Sequence, residues 1–181
     1  MEEPLSIAVV DESNRFVRWE RKTEVHRLRL FHRSVHIVLF DSRGRLVIQQ
    51  RHPQKLTYPA HWDGSCAGHV ERPDYPGGPD EGLDAVYLSV AQRELQEELG
   101  ISAPLSFVEA RGPEKGLHYE HFQLFEGTHD GPYIIQLEEV HAVKAVTAAE
   151  FDAMASDGSV LMTPLLRRTV SQLRGQGRFL A

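Results

Sequence analysis

Apolar and polar positions alternate over Ser6 to Asp11 and again over Phe16 to Arg21, on either side of the polar turn "DESN". A period of two predicts two short strands there. Ser34 to Asp41 and Arg45 to Arg51 predict a hairpin across Ser42-Arg43-Gly44. His61 to Val70, with two glycines, reads as a strand entering a loop, and the Pro- and Gly-rich run Glu71 to Gly82 reads as loop. The period then changes. Leu88, Ala91, Leu95 and Leu99 recur at steps of three and four, which predicts a helix over Leu83 to Leu99. Gly100 stands where a left-handed terminator belongs. Beyond it, Leu105 to Ala110, His118 to Phe125 and Tyr133 to Val146 predict strands. Thr147 with Glu150 three residues on opens a short helix, and Pro164 begins a last one over Thr163 to Leu173. Strands first, one helix embedded among them and helices at the end imply an α/β fold with a mixed sheet covered by helices.

Bulk composition narrows function more than fold. A chain of 181 residues suits one domain spanning 1–181. Its net charge of −6 offers no electrostatic attraction to nucleic acid or to an anionic membrane. An anionic substrate would therefore need a metal or a few local cations. No apolar run approaches the roughly 20 residues that span a bilayer. The start, "MEEPLSIAVVDE", lacks the basic-then-apolar order of a secretory signal, and the single cysteine, Cys66, excludes an internal disulfide. A cytoplasmic location is the expectation, and a homodimer is the expected assembly for a small enzyme.

The segment Arg93 to Ile101, "RELQEELGI", breaks local rules twice. Glu94, Glu97 and Glu98 fall three and four residues apart, which predicts one shared helix face away from the leucine stripe. Like charges at that spacing cost a few tenths of a kcal/mol per pair. They also crowd the C-terminal end, where the helix dipole disfavours anions. A solvated Glu-rich face with Arg93 paired to Glu97 explains the run on its own terms. A hard divalent cation explains the crowding as well, because Mg²⁺ takes carboxylate and phosphate oxygens together.

These residues, after a Gly-rich loop and before a strand, resemble the second half of the Nudix hydrolase signature, G-x5-E-x7-R-E-U-x-E-E-x-G-U, at every fixed position. The resemblance implies a Nudix-type α/β/α sandwich with a central mixed β-sheet. It further implies that Glu94, Glu97 and Glu98 hold Mg²⁺ or Mn²⁺ on a diphosphate, with Arg93 orienting a carboxylate. The first half departs. Gly68 precedes Arg93 by eleven residues more than the pattern expects, so 72–83 reads as an inserted loop. The position eight before Arg93 is Ala85 instead of Glu, leaving Asp84 or Glu81 as stand-ins.

"HWDGSCAGHVE" (His61 to Glu71) with "FHRSVHIVLFDSRGRLVIQQRHPQK" (Phe31 to Lys55) is similar to the isopentenyl-diphosphate isomerase-like branch. That likeness implies a second metal site from His32, His69 and Glu120, with His26 matching a third histidine across a gap and His118 in the place of a glutamate. It also implies that Arg51, Lys55 and Gly68 contact the diphosphate. Each histidine alone reads equally as a satisfied core residue, and the two cations as an exposed strand end. The isomerases need a cysteine directly before the Gly-His pair. Here that residue is Ala67, and Cys66, one place away, should face the other side of a strand.

The expected activity is metal-dependent pyrophosphohydrolysis of a small nucleoside-diphosphate-type compound. Glu98, Glu94 and Glu120 are candidates for accepting the proton of the attacking water, with Glu138 and Glu139 behind them. Isopentenyl-diphosphate isomerisation and non-catalytic ligand binding stay open as alternatives. Trp62, Tyr58, Tyr87 and Tyr119 are the aromatics that could stack on a base.

Overall fold

The computed structural model describes residues 6–180. Residues 1–5, part of the stretch on which the absence of a secretory signal was read, and residue 181 lie outside them. The described elements run β1 (Ser6–Val10), β2 (Phe16–Arg21), α1 (Lys22–Leu28), β3 (His32–Phe40), β4 (Leu46–Arg51), β5 (Trp62–Asp63) and β6 (Cys66–His69). They continue with α2 (Leu83–Leu99), β7 (Ser106–Arg111), β8 (Glu120–Thr128), β9 (Val140–Val146), α3 (Ala148–Ser156) and α4 (Pro164–Gly175). A short 3₁₀ turn, Arg72–Asp74, opens the loop before α2.

β3 is the spine of the mixed sheet. It pairs in parallel with β8 from His32 opposite Glu120 to Phe40 opposite Thr128. Its other edge pairs with β6 over Ser34 to Ile37 and meets β4 at Leu39 and Phe40. The expected β3–β4 hairpin is thus paired at its tip alone. Ser65 wedges between the strands, accepting from Leu39 N at 2.7 Å and donating to Val47 O at 2.6 Å.

Successive β3 side chains point to opposite faces and seed two cores. Val35, Ile37 and Leu39 pack with Val90, Leu95 and Leu99 of α2. Val38, with Phe122 and Leu124 of β8, packs against Phe151 of α3 and Leu166 and Val170 of α4. One helix on one face and two on the other complete the α/β/α arrangement. Each such fully buried Val or Leu contributes about 1.5–3 kcal/mol.

Three local expectations change. The strand expected from Tyr133 begins at Val140, because the preceding backbone caps α2. Ile134 N donates to Leu99 O at 2.9 Å and Gln136 N to Glu98 O at 3.0 Å, satisfying carbonyls that no helical turn can reach. The buried face of α2 is wider than the leucine stripe, taking in Val86, Tyr87 and Val90, while Leu88 is half-buried. Most consequentially, Glu94 and Glu98 belong to that buried face, and of the three glutamates Glu97 alone is exposed.

Candidate active site

β3 and its neighbours place His32, Ser34 and His36 on one face. β6 sets His69 opposite Ser34 and Ala67 opposite His36, and β8 sets Glu120 opposite His32. α1 supplies His26 from the side. One ring nitrogen each from His26, His32 and His69 lies within 4.8 Å of the other two. His32 Nδ1 lies 2.8 Å from Leu30 O, a carbonyl that can only accept, so Nδ1 carries a proton and Nε2 is the atom turned to the cluster. The Nε2 atoms of His32 and His69 are buried without a hydrogen-bond partner.

Glu120 completes the cluster. Its Oε1 stands 3.7 Å from His32 Nε2 and 4.0 Å from His69 Nε2. Its Oε2 is held by Ser34 Oγ at 2.8 Å and His36 Nε2 at 3.0 Å. Burial pushes His69 well below its ordinary value, and Lys22 adds to the shift. For Glu120, burial would act upward, but His32 and His36 hold the carboxyl well below the usual range. Orphaned imidazole nitrogens beside a fixed carboxylate are a donor set that fits Mn²⁺, Zn²⁺ or Mg²⁺.

The helix carboxylates approach from the other side of the sheet. Glu94 is 9% exposed and Glu98 7%, and both still line a cleft of about 1330 Å³ that includes His32, His69 and Glu120. Glu94 reaches it because β6 has no side chain at Gly68, where a Cβ would lie 1.9 Å from Glu94 Cδ. Burial, opposed by Arg93 and reinforced by Glu98 and Glu97, pushes Glu94 up to about 8. Burial raises Glu98 too, against hydrogen bonds from Cys66 and Gln49. Anions this poorly solvated suit a cation.

Arg93 organises the group. Its Nη1 reaches Glu94 Oε1 at 3.0 Å and Glu97 Oε2 at 2.8 Å, and its Nη2 reaches Asp74 Oδ2 at 3.2 Å. Arg51 and Lys55 both line the cleft and are engaged by carboxylates, Arg51 with Asp63 at 3.3 Å and Lys55 with Glu139. Glu138 also lines the cleft. Tyr58 and Tyr119 line it as well, whereas Tyr87 is buried in the core and Trp62 lies under Lys144 Nζ, 4.4 Å from its ring centre.

A NUDIX domain model matches residues 30–166. The chain belongs to the Nudix family. An isopentenyl-diphosphate Delta-isomerase of Serratia proteamaculans (strain 568) is 35% identical over 141 residues, covering 75% of this chain and 73% of that protein. An uncharacterized Nudix hydrolase, YfcD of Salmonella typhi, is 30% identical over 158 residues, covering 83% and 77%. The solved structure of DR0079 from Deinococcus radiodurans matches with a TM-score of 0.72 at 22% identity, covering 90% of this chain and 98% of that one, which speaks to the fold alone. The chain therefore lies on the isomerase-like Nudix branch, and enzymes of these families generally use divalent ions.

The signature counts differently from its other end. Counted forward from Gly68, the acidic position falls on Asp74, so the extra residues lie between Asp74 and α2. Asp74 holds Arg93 there, while Ala85 is exposed. Asp74, Asp84 and Glu81 all lie outside the cleft lining. Asp84 accepts from Gln123 Nε2 at 2.7 Å, and Glu81 sits beside Gly77 and Gly78 in the loop. Measuring forward from Gly68, as well as backward from Arg93, was the signal that finds Asp74. The cysteine behaves as strand parity requires. Ala67 lines the cleft, and Cys66, 1% exposed, faces α2 with Sγ 3.2 Å from Glu98 Oε2.

Proposed function

We propose that the protein is a metal-dependent pyrophosphohydrolase that cleaves the diphosphate linkage of a small, nucleoside-diphosphate-type compound. The observation that carries this reading is the pair of buried carboxylates, Glu94 and Glu98, lining the cleft, Glu94 in the gap at Gly68, with the chain's one thiol turned away from it. Glu94, Glu97 and Glu98 would hold Mg²⁺ or Mn²⁺, and His26, His32, His69 and Glu120 a second ion. When bound, such ions offset charge on phosphoryl oxygens and lower the pKa of water.

The chain's own residues then position and neutralise. Arg93 fixes Glu94 and Glu97, with Asp74 behind it. Arg51, tethered to Asp63 and to Thr57 O at 3.1 Å, presents its guanidinium at the cleft wall. Lys55 exchanges Glu139 for a phosphate oxygen. Among the carboxylates of the cleft wall, Glu94, Glu98 and Glu120 are the candidates for taking the proton of the attacking water, with Glu138 and Glu139 behind them.

Isopentenyl-diphosphate isomerisation is the second reading, favoured by the complete histidine cluster and by the isomerase relative. A screen decides between them. Nucleoside di- and triphosphates, nucleotide sugars, dinucleotides and prenyl diphosphates are incubated with Mg²⁺ or Mn²⁺ and products identified. Phosphate-bond cleavage of one class supports the hydrolase. Conversion of isopentenyl to dimethylallyl diphosphate overturns it, and binding without turnover points to a ligand-binding module.

A further inference from the structure

Two buried side chains outside the signature helix converge on one oxygen of Glu98. Gln49 of β4 donates Nε2–H to Oε2 at 3.1 Å, and Cys66 of β6 donates its thiol to the same atom at 3.2 Å. Gln49 is 5% exposed and Cys66 1%, and of the three residues only Glu98 lines the cleft. Both side-chain donors end on Oε2, and the backbone N–H of Ala67 also favours the carboxylate.

A carboxylate free to rotate presents either oxygen to an ion and loses that freedom on binding. A carboxylate with two donors on one oxygen has lost it beforehand. The donors come from two strands, β4 and β6, that Ser65 ties together through Val47 O. The backbone positions of both donors are therefore set by the sheet and not by α2.

We propose that Gln49 and Cys66 are positioning residues: by gripping Oε2 from behind, they hold the Glu98 carboxylate in one orientation toward a divalent ion that the cleft would take up. The thiol's task is donation, so a hydroxyl can take it over and a methyl cannot. This inference rests on the reading of Glu98 as a metal ligand. Outer partners of metal ligands typically govern about 10- to 100-fold of metal affinity.

The test is calorimetric titration of the full chain with Mn²⁺ alone, alongside thermal unfolding of each metal-free variant. Cys66→Ala and Gln49→Met are expected to raise the Mn²⁺ dissociation constant about tenfold, and Cys66→Ser to restore most of the affinity lost in Cys66→Ala. Glu98→Gln serves as the reference for loss of the ligand. Wild-type affinity in both Cys66→Ala and Gln49→Met, with affinity lost in Glu98→Gln, overturns the positioning role and leaves the ligand assignment standing. Equal loss in Cys66→Ser and Cys66→Ala also overturns it, since packing and not donation would then be at stake. Unchanged affinity in Glu98→Gln overturns the ligand assignment itself. Should one substitution prevent folding, the other tests the same oxygen from the second strand.

Discussion

Gly68 and Glu94 share the space of a single side chain: a Cβ at position 68 would fall 2.1 Å from Glu94 Oε1. Gly68→Ala must therefore push the Glu94 carboxyl out of the cleft wall. The displaced group is the end of a flexible side chain, so the fold should survive with about 1–3 kcal/mol lost to overpacking. Mn²⁺ affinity should fall far more than that loss of stability suggests. Titration of the variant with Mn²⁺, read beside its unfolding curve, checks both. Unchanged affinity would show that Glu94 needs no gap.

Glu97 differs from its two companions in being solvated, with a side chain 51% exposed and paired to Arg93. Exposed pairs of this kind are worth about 0–1 kcal/mol. Glu97→Gln should leave the unfolding midpoint nearly in place while abolishing Mg²⁺-dependent turnover. A variant that turns over at the wild-type rate removes Glu97 from the metal site, and one that unfolds makes it structural.

Asp74 holds Arg93 and also accepts Glu71 N at 2.7 Å, so it joins the loop to the helix. Asp74→Ala should lower turnover by freeing Arg93 from its fixed approach to Glu94 and Glu97. Arg93→Lys should do likewise, since an ammonium lacks the fork that spans several carboxylates at once. A double-mutant cycle on turnover is expected to show strong non-additivity; independent effects would separate the two residues.

Part of the acid sensitivity should trace to the β3–β4 turn. Asp41 accepts from Arg43 N at 3.0 Å, Arg45 N at 2.8 Å and Arg45 Nε at 2.6 Å. Burial acts to raise its carboxyl, but these bonds outweigh it and hold the group below its ordinary 3.8. A lowered folded value stabilises fully above 3.8 and is lost as pH falls through that lower value. Asp41→Ala should therefore cost about 2 kcal/mol near neutrality and progressively less below pH 3.8. Unfolding curves at several pH values measure the difference, and a pH-independent loss would contradict it.

Helix α2 was legible from Leu83 to Leu99 because periodicity, terminal glycine and motif all agree there. The inward aim of Glu94 and Glu98 was not, since helical spacing assigns faces but cannot announce a missing side chain on a neighbouring strand. α1 escaped notice for a different reason: seven residues with Val25 alone buried and no side-chain cap give no pattern to read. His32, His69 and Glu120 were found through family likeness, and their convergence depends on a parallel β3–β8 register that no local signal encodes. The grip of Gln49 and Cys66 on Glu98 likewise depends on strands meeting far apart in the chain.

The extra loop before α2 has a tenant beneath it. Arg33, wholly buried, donates to Asn14 O at 2.6 Å, Asn14 Oδ1 at 2.8 Å, Asp80 Oδ1 at 2.6 Å and Pro79 O. Asp80 in turn receives Phe16 N at 3.1 Å from the first hairpin. Trimming the loop back to the usual family length would strand a guanidinium in the interior, an error worth several kcal/mol. What looks like spare sequence is a plug, and shortening the chain here would have to begin by replacing the arginine.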